Sequence, residues 1–156
     1  MSDAPPVELA HLSWLIGRWG GIGEGGYPTI EPFRYEQVVE FACDGRPFLE
    51  YRSVSWIVDE DNNRLRRAAT ESGYWRARPD NGVELLLAHP TGFVEAWVGR
   101  VEVTGIHDAA VIGARIELTT DADNVPSQKV ITSNGGVLVR EFVKGPAYGG
   151  GPGLLY

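Results

Sequence analysis

The sequence predicts an all-β protein, an antiparallel sandwich or barrel, on three observations. Apolar residues alternate with period two along most of the chain, turn-forming residues interrupt that alternation at regular intervals, and helical spacing is confined to one short stretch. With 156 residues, 43% of them hydrophobic, the chain can bury one substantial core. No repeat or linker divides it, so residues 1–156 read as a single domain, with residues 1–6 as a flexible N-terminus.

Residues 7–16 place Leu9, Leu12, Leu15 and Ile16 at helical spacing. A helix this short is stable only when docked, so it is expected to plug whatever follows, and Gly17 ends it. Along 33–41, Phe33, Tyr35, Gln37, Val39 and Phe41 fall on one face, opposite Arg34, Glu36, Val38 and Glu40. Apart from Gln37 and Val38, that is a strand with one wet face. Along 48–58, Leu49, Tyr51, Ser53, Ser55 and Ile57 alternate with Phe48, Glu50, Arg52, Val54, Trp56 and Val58. Asp59–Asn63 reads as a polar hairpin tip. It lacks the mid-loop glycine and terminal glutamate of a calcium loop. Further strands are expected at 65–78, 82–88, 93–103, 110–119 and 137–143. The first four are separated by turns at Pro79–Gly82, Pro90–Gly92 and Gly105–Asp108. The stretch 145–156, with five glycines and two prolines, is poor material for a closing strand.

One segment carries more information than alternation does. Gly17, Trp19, Gly21 and Gly23 spell Gly-x-Trp-x-Gly-x-Gly, and Tyr27, Pro28 and Thr29 follow. This segment resembles the nitrobindin family, small β-barrels of the fatty-acid-binding-protein type that hold a ferric heme b. The resemblance selects the barrel: an antiparallel up-and-down β-barrel of about ten strands with a short N-terminal helix, its closure beyond residue 129 left open. It is good from about Leu12 to about Val103, weaker to Lys129, and lost in the divergent tail. It also implies that Thr29 lies beside the heme and that Lys129 stands near the cavity. Thr29 reads equally well as a turn hydroxyl. Gly21–Gly26 satisfies the letter of a dinucleotide fingerprint, but no strand precedes it and no helix follows. Glycines in a tightly curved strand explain it better.

The family's axial histidine lies near the C-terminus, and no histidine follows His107 here. His11 lies on the plug segment, His89 precedes Pro90, and His107 sits in a turn, so all three are expected to face solvent. His89 retains some expectation of pointing inward through the tripeptide Ala88-His-Pro, which heme-binding members share. No histidine spacing suggests a metal site, no nucleophile elbow is present, and no catalytic residue is assigned. Of the five tryptophans, Trp14, Trp19, Trp56, Trp75 and Trp97, most are expected in the core and barrel lining.

Composition narrows the partners. A formal charge of −7 with scattered basic residues disfavours nucleic acid. No apolar run approaches the roughly 20 residues that span a bilayer, and the first residues do not resemble a secretory signal, so a cytoplasmic protein is expected. A single cysteine, Cys43, cannot form an internal disulfide and reads as a small, partly buried hydrophobe. The resemblance, combined with the missing imidazole, implies a nitrobindin-like barrel without peroxynitrite isomerisation. No cofactor is expected in it, and the ligand would be a small apolar molecule or a weakly held porphyrin. The alternatives are heme b held through His89, Tyr148 or Tyr156, tyrosine being a known heme ligand, and a carrier of fatty acid. The resemblance also brings homodimers into view.

Overall fold

The computed structural model describes residues 4–27, 30–108, 110–121, 140–143 and 152–155. The N-terminal apolar stretch winds as two one-turn 3-10 segments, Val7–Leu9 and Ser13–Leu15, rather than as one α-helix. The sequence contains the reason. Leu9, Leu12 and Leu15 recur at intervals of three, the period of a 3-10 turn, which stacks them on one face. Bonds from Leu12 N to Leu9 O (2.8 Å) and from Leu15 N to Leu12 O (3.0 Å) hold that spacing. All three leucines are buried, as the plug requires.

Among the described residues nine strands follow: β1 Gly17–Tyr27, β2 Ile30–Ala42, β3 Phe48–Val58, β4 Arg64–Arg78, β5 Gly82–Ala88, β6 Val94–His107, β7 Ala110–Asp121, β8 Arg140–Val143 and β9 Pro152–Leu155. Their order in the single sheet is β1-β2-β3-β4-β5-β6-β7-β9-β8, and every pairing is antiparallel. The first seven strands therefore form an up-and-down meander, as expected. The tail corrects one expectation. Pro152–Leu155 is a strand, laid between β7 and β8. Proline is tolerated there because it opens the strand, where a ladder N–H is least needed. Strand β6 also runs past the expected turn, through irregularities at Val103–Gly105 and Gly105–Ile106, to a tighter turn at Asp108 (φ 47°). Among the described residues no ladder joins β1 to β7, β8 or β9, so the wall is a curled sheet.

Two glycines mark where the sheet folds hardest. A Cβ at Gly73 would lie 1.9 Å from the Leu86 carbonyl oxygen, and one at Gly99 would lie 1.9 Å from the Glu117 carbonyl oxygen. Only a residue without a side chain lets neighbouring strands approach so closely. The hairpin tip at Asp59–Asn63 closes on itself: Asp59 Oδ1 accepts from Asp61 N (3.0 Å) and Asn63 N (2.8 Å). Outside the curl, Trp56 carries the Arg64 guanidinium 3.8 Å above its ring. Arg64 in turn grips Glu36 with two bonds, at 2.5 and 2.8 Å.

The plug seals one end of the curl. Leu9, Leu12 and Leu15 pack with Phe41, Leu49, Trp75, Val83, Leu85, Trp97 and Val101 into one core. His11 locks the plug to the wall by donating from Nε2 to the Gly82 carbonyl at 2.9 Å. Rings stack upward from this floor, Trp75 edge-on to Phe41 at 5.5 Å and Phe41 tilted against Tyr51 at 5.4 Å.

Candidate functional site

Direct cross-strand partners share a face of a sheet, so the strand registers list the concave surface row by row. The lowest row is Leu49, Trp75, Leu85 and Trp97; above it run Phe41, Tyr51, Gly73, Leu87 and Glu95. Next come Trp19, Val39, Ser53 and Glu71, and then Gly21, Gln37 and Ser55. The rim row is Gly23, Tyr35, Ile57 and Arg66. The interior thus grades from hydrocarbon at the floor to amides, hydroxyls and acids higher up.

The polar groups form a connected chain. Tyr51 donates to Glu71 Oε2 at 2.9 Å. His89 faces both acids, with Nδ1 3.9 Å from Glu71 Oε1 and Nε2 3.2 Å from Glu95 Oε1. The Trp97 indole donates to Glu95 Oε2 at 2.9 Å. Glu95 is only 7% exposed, an unusual place for a carboxylate without such partners. Nearby, Gln37 Nε2 donates to Ser53 Oγ at 2.8 Å, and Ser55 Oγ accepts from Ala69 N at 3.1 Å where the strand is irregular. Two buried groups on this lining find no hydrogen-bond partner among the described residues: the Trp75 indole nitrogen, and His89 Nε2, whose approach to Glu95 is poorly aligned.

Burial and the nearby Glu71 charge push the Tyr51 hydroxyl well above its ordinary 10.0. Above about pH 10 the unfolded chain sheds this proton while the folded chain keeps it, so stability falls as pH rises. Tyr51→Phe is expected to remove that share of the alkaline loss. Urea midpoints measured between about pH 8 and pH 11 would show the variant's curve flatter than the parent's.

Along β1 and β2 the lining opens into a cleft of about 250 Å³, bounded by Trp19, Gly21, Gly23, Tyr35, Gln37 and Val39. The motif residues have distinct tasks in it. Gly17, at φ 133°, turns the chain from plug to strand in a conformation that L side chains rarely adopt. Trp19 donates from its indole to Leu15 O at 2.8 Å, which fixes the ring beside the cleft. A Cβ at Gly21 would meet nothing within 4 Å, whereas at Gly23 it would lie 2.6 Å from the Tyr35 ring. Gly21 therefore leaves space, and Gly23 makes room for Tyr35.

Sequence expectations for the three histidines divide. His11 bonds to the wall at the plug, and the His107 side chain is 73% exposed. His89 does not face solvent: its side chain is 15% exposed, because the alternation of β5 carries on past Ala88 and turns it inward. Thr29, Lys129, Tyr148 and Tyr156 lie outside the described residues. Tyr51, Glu71 and Glu95 were missed. The available signal was a polar residue at an inward-phase position of an otherwise apolar alternation, which Gln37 and Ser53 also show. Cys43 is partly buried, and its sulfur accepts from Gly45 N at 3.4 Å. Among the described residues no group of three His, Cys, Asp or Glu side chains converges to hold a metal ion. None of the described helices is long and apolar enough to cross a membrane.

A curled antiparallel meander, plugged at one end and bearing an open cleft on its concave face, is the architecture of the small up-and-down β-barrel class. The chain belongs to the nitrobindin family: residues 8–140 match the family model described as the THAP4-like, heme-binding β-barrel domain. A peroxynitrite isomerase of a Nocardioides species is 50% identical over 115 residues, covering 74% of this chain and 64% of that protein. A ferric nitrobindin-like protein of Thermobifida fusca is 43% identical over 126 residues, covering 73% of this chain and 65% of that one. The chain thus spans slightly less than two thirds of either relative. Among solved structures, the crystal structure of Rv2717c from M. tuberculosis superposes with a TM-score of 0.66 at 40% identity, covering 77% of this chain and 68% of that one.

Proposed function

We propose that this chain is a ligand-binding nitrobindin-type barrel that accepts a flat apolar molecule, porphyrin included, but does not ligate heme iron as the family's resemblance implies. The fixed Trp19 indole, the open space over Gly21 and the Tyr35 ring fit the face of a macrocycle. The described residues do not fit its iron. His11 is bonded into the plug wall, His107 is on the exposed turn, and each ring nitrogen of His89 faces a carboxylate. The enclosure of His89 between Glu71 and Glu95 is the observation that carries the reading. The isomerase activity named for the Nocardioides relative is accordingly not proposed for this chain.

Titrating the protein with hemin tests this. The expected result is a broad, weakly shifted Soret band and a dissociation constant above about 1 μM, equivalent to about 8 kcal/mol. A sharp Soret band with submicromolar affinity would overturn it.

A second reading has one observation in its favour. His89 Nε2 is buried, inward and without a hydrogen-bond partner among the described residues, so it could serve as the iron ligand once turned from Glu95. In that case His89→Phe would abolish a sharp Soret band seen in the parent. An unchanged spectrum would eliminate His89.

A further inference from the structure

The cleft on β1 and β2 has an amide in its wall, and the hydrogen bonds behind that amide decide which end of it a ligand meets. Gln37 lines the cleft and is partly buried. On its β3 side, Nε2 donates to Ser53 Oγ at 2.8 Å. An amide fits nearly the same space when its oxygen and nitrogen are exchanged, so its partners must fix the orientation. They do so here in a single sense. The Glu71 carboxylate can only accept, and Tyr51 donates to it at 2.9 Å. Burial and the Glu71 charge keep the proton on Tyr51, whose oxygen takes a side-chain hydrogen bond from Ser53. With its own proton committed to Tyr51, the buried Ser53 hydroxyl is left to accept from Gln37. The amide must therefore turn its NH2 toward Ser53 and its carbonyl oxygen away.

Away from Ser53 lies β1. Gly21 is the cross-strand partner of Gln37 there, and the space above it is open. Two other polar groups of the cleft do not discriminate between ligands. The Trp19 indole N–H is spent on Leu15 O. The Tyr35 hydroxyl, seated over Gly23, turns to serve a donor or an acceptor. We propose that Gln37 is the specificity-determining residue of the cleft, its carbonyl oxygen held over Gly21 to select flat neutral ligands with an O–H or N–H on their edge. A ligand without such a donor would strip water from that oxygen and put nothing in its place. This rests on the reading of the cleft as a ligand site, and adds to its shape a chemical preference set from Glu71 through Tyr51 and Ser53.

Equilibrium dialysis of the full chain at neutral pH against 2-naphthol and 2-methoxynaphthalene tests it. The two share a ring system and a single oxygen, and only the naphthol donates. Uptake of neither overturns the ligand-site reading and this selectivity with it, whereas equal uptake of both, or a preference for the ether, overturns the selectivity alone. 2-Naphthol is expected to bind about tenfold more tightly, despite the ether's extra methyl group. Gln37→Leu is expected to abolish or reverse that preference while still taking up the ether. Tyr51 stands outside the cleft lining, yet Tyr51→Phe frees the Ser53 proton for Gln37 and lets the amide turn. That variant is expected to narrow the preference to about threefold or less. An undiminished preference in either variant, with a parent-like thermal transition, overturns the proposal. Should Gln37→Leu not fold, Tyr51→Phe alone must narrow the ratio or the proposal fails.

Discussion

Replacing Gly73 by alanine is expected to destabilise the protein by about 3 kcal/mol or more, among the larger effects a single methyl group can have. The added carbon would lie 1.9 Å from the Leu86 carbonyl oxygen, and backbone cannot yield as a side-chain tip can. Strands β4 and β5 would have to part just where Tyr51, Glu71 and His89 meet. Urea denaturation should show a midpoint shift of that order against a total stability of roughly 5–15 kcal/mol. Gly21→Ala is the matched control. Its Cβ meets open space, so its midpoint should move by less than about 1 kcal/mol in either direction. Equal losses at the two positions would refute the close-approach explanation.

The second large effect is expected at the plug. Leu12 is completely buried within the cluster that holds Phe41, Leu49, Trp75 and Trp97. Leu12→Ala removes that contact and leaves a cavity, at a cost of about 2–5 kcal/mol. Val7, exposed at the start of the same segment, provides the comparison: Val7→Ala should stay within about 0.5 kcal/mol of the parent. If thermal melts place both variants beside the parent, the plug is not part of the cooperative fold.

Most of the wall was legible because its strands are short alternations bounded by residues with strong turn chemistry. The expected segments 48–58 and 82–88 coincide with β3 and β5, since Asp59–Asn63 and Pro79–Gly82 leave the chain little choice. Family membership was legible from Gly17, Trp19, Gly21 and Gly23. Three things were not legible, for different reasons. The plug's winding turned on a spacing of three against three-and-four, which Ile16 blurred. The inward turn of His89 was hidden by Pro90, which suggested a surface loop, although the phase of β5 already pointed it inside. Gly73 and Gly99 could not be distinguished from other strand glycines, because what each would strike lies on a neighbouring strand and depends on curvature that no local pattern encodes. Glu71 and Glu95 look like solvent residues by type. Only the register brings them to one imidazole.

The latch of His11 onto Gly82, with the leucines beneath it, shuts the end of the curl at the plug. A ligand held in the curl as proposed cannot leave past the plug, so it must enter and leave by the rim or by the open edge of the sheet beside β1. Exchange rates should then follow the motions of the rim and that edge, and a substitution that loosens the plug alone should leave them unchanged.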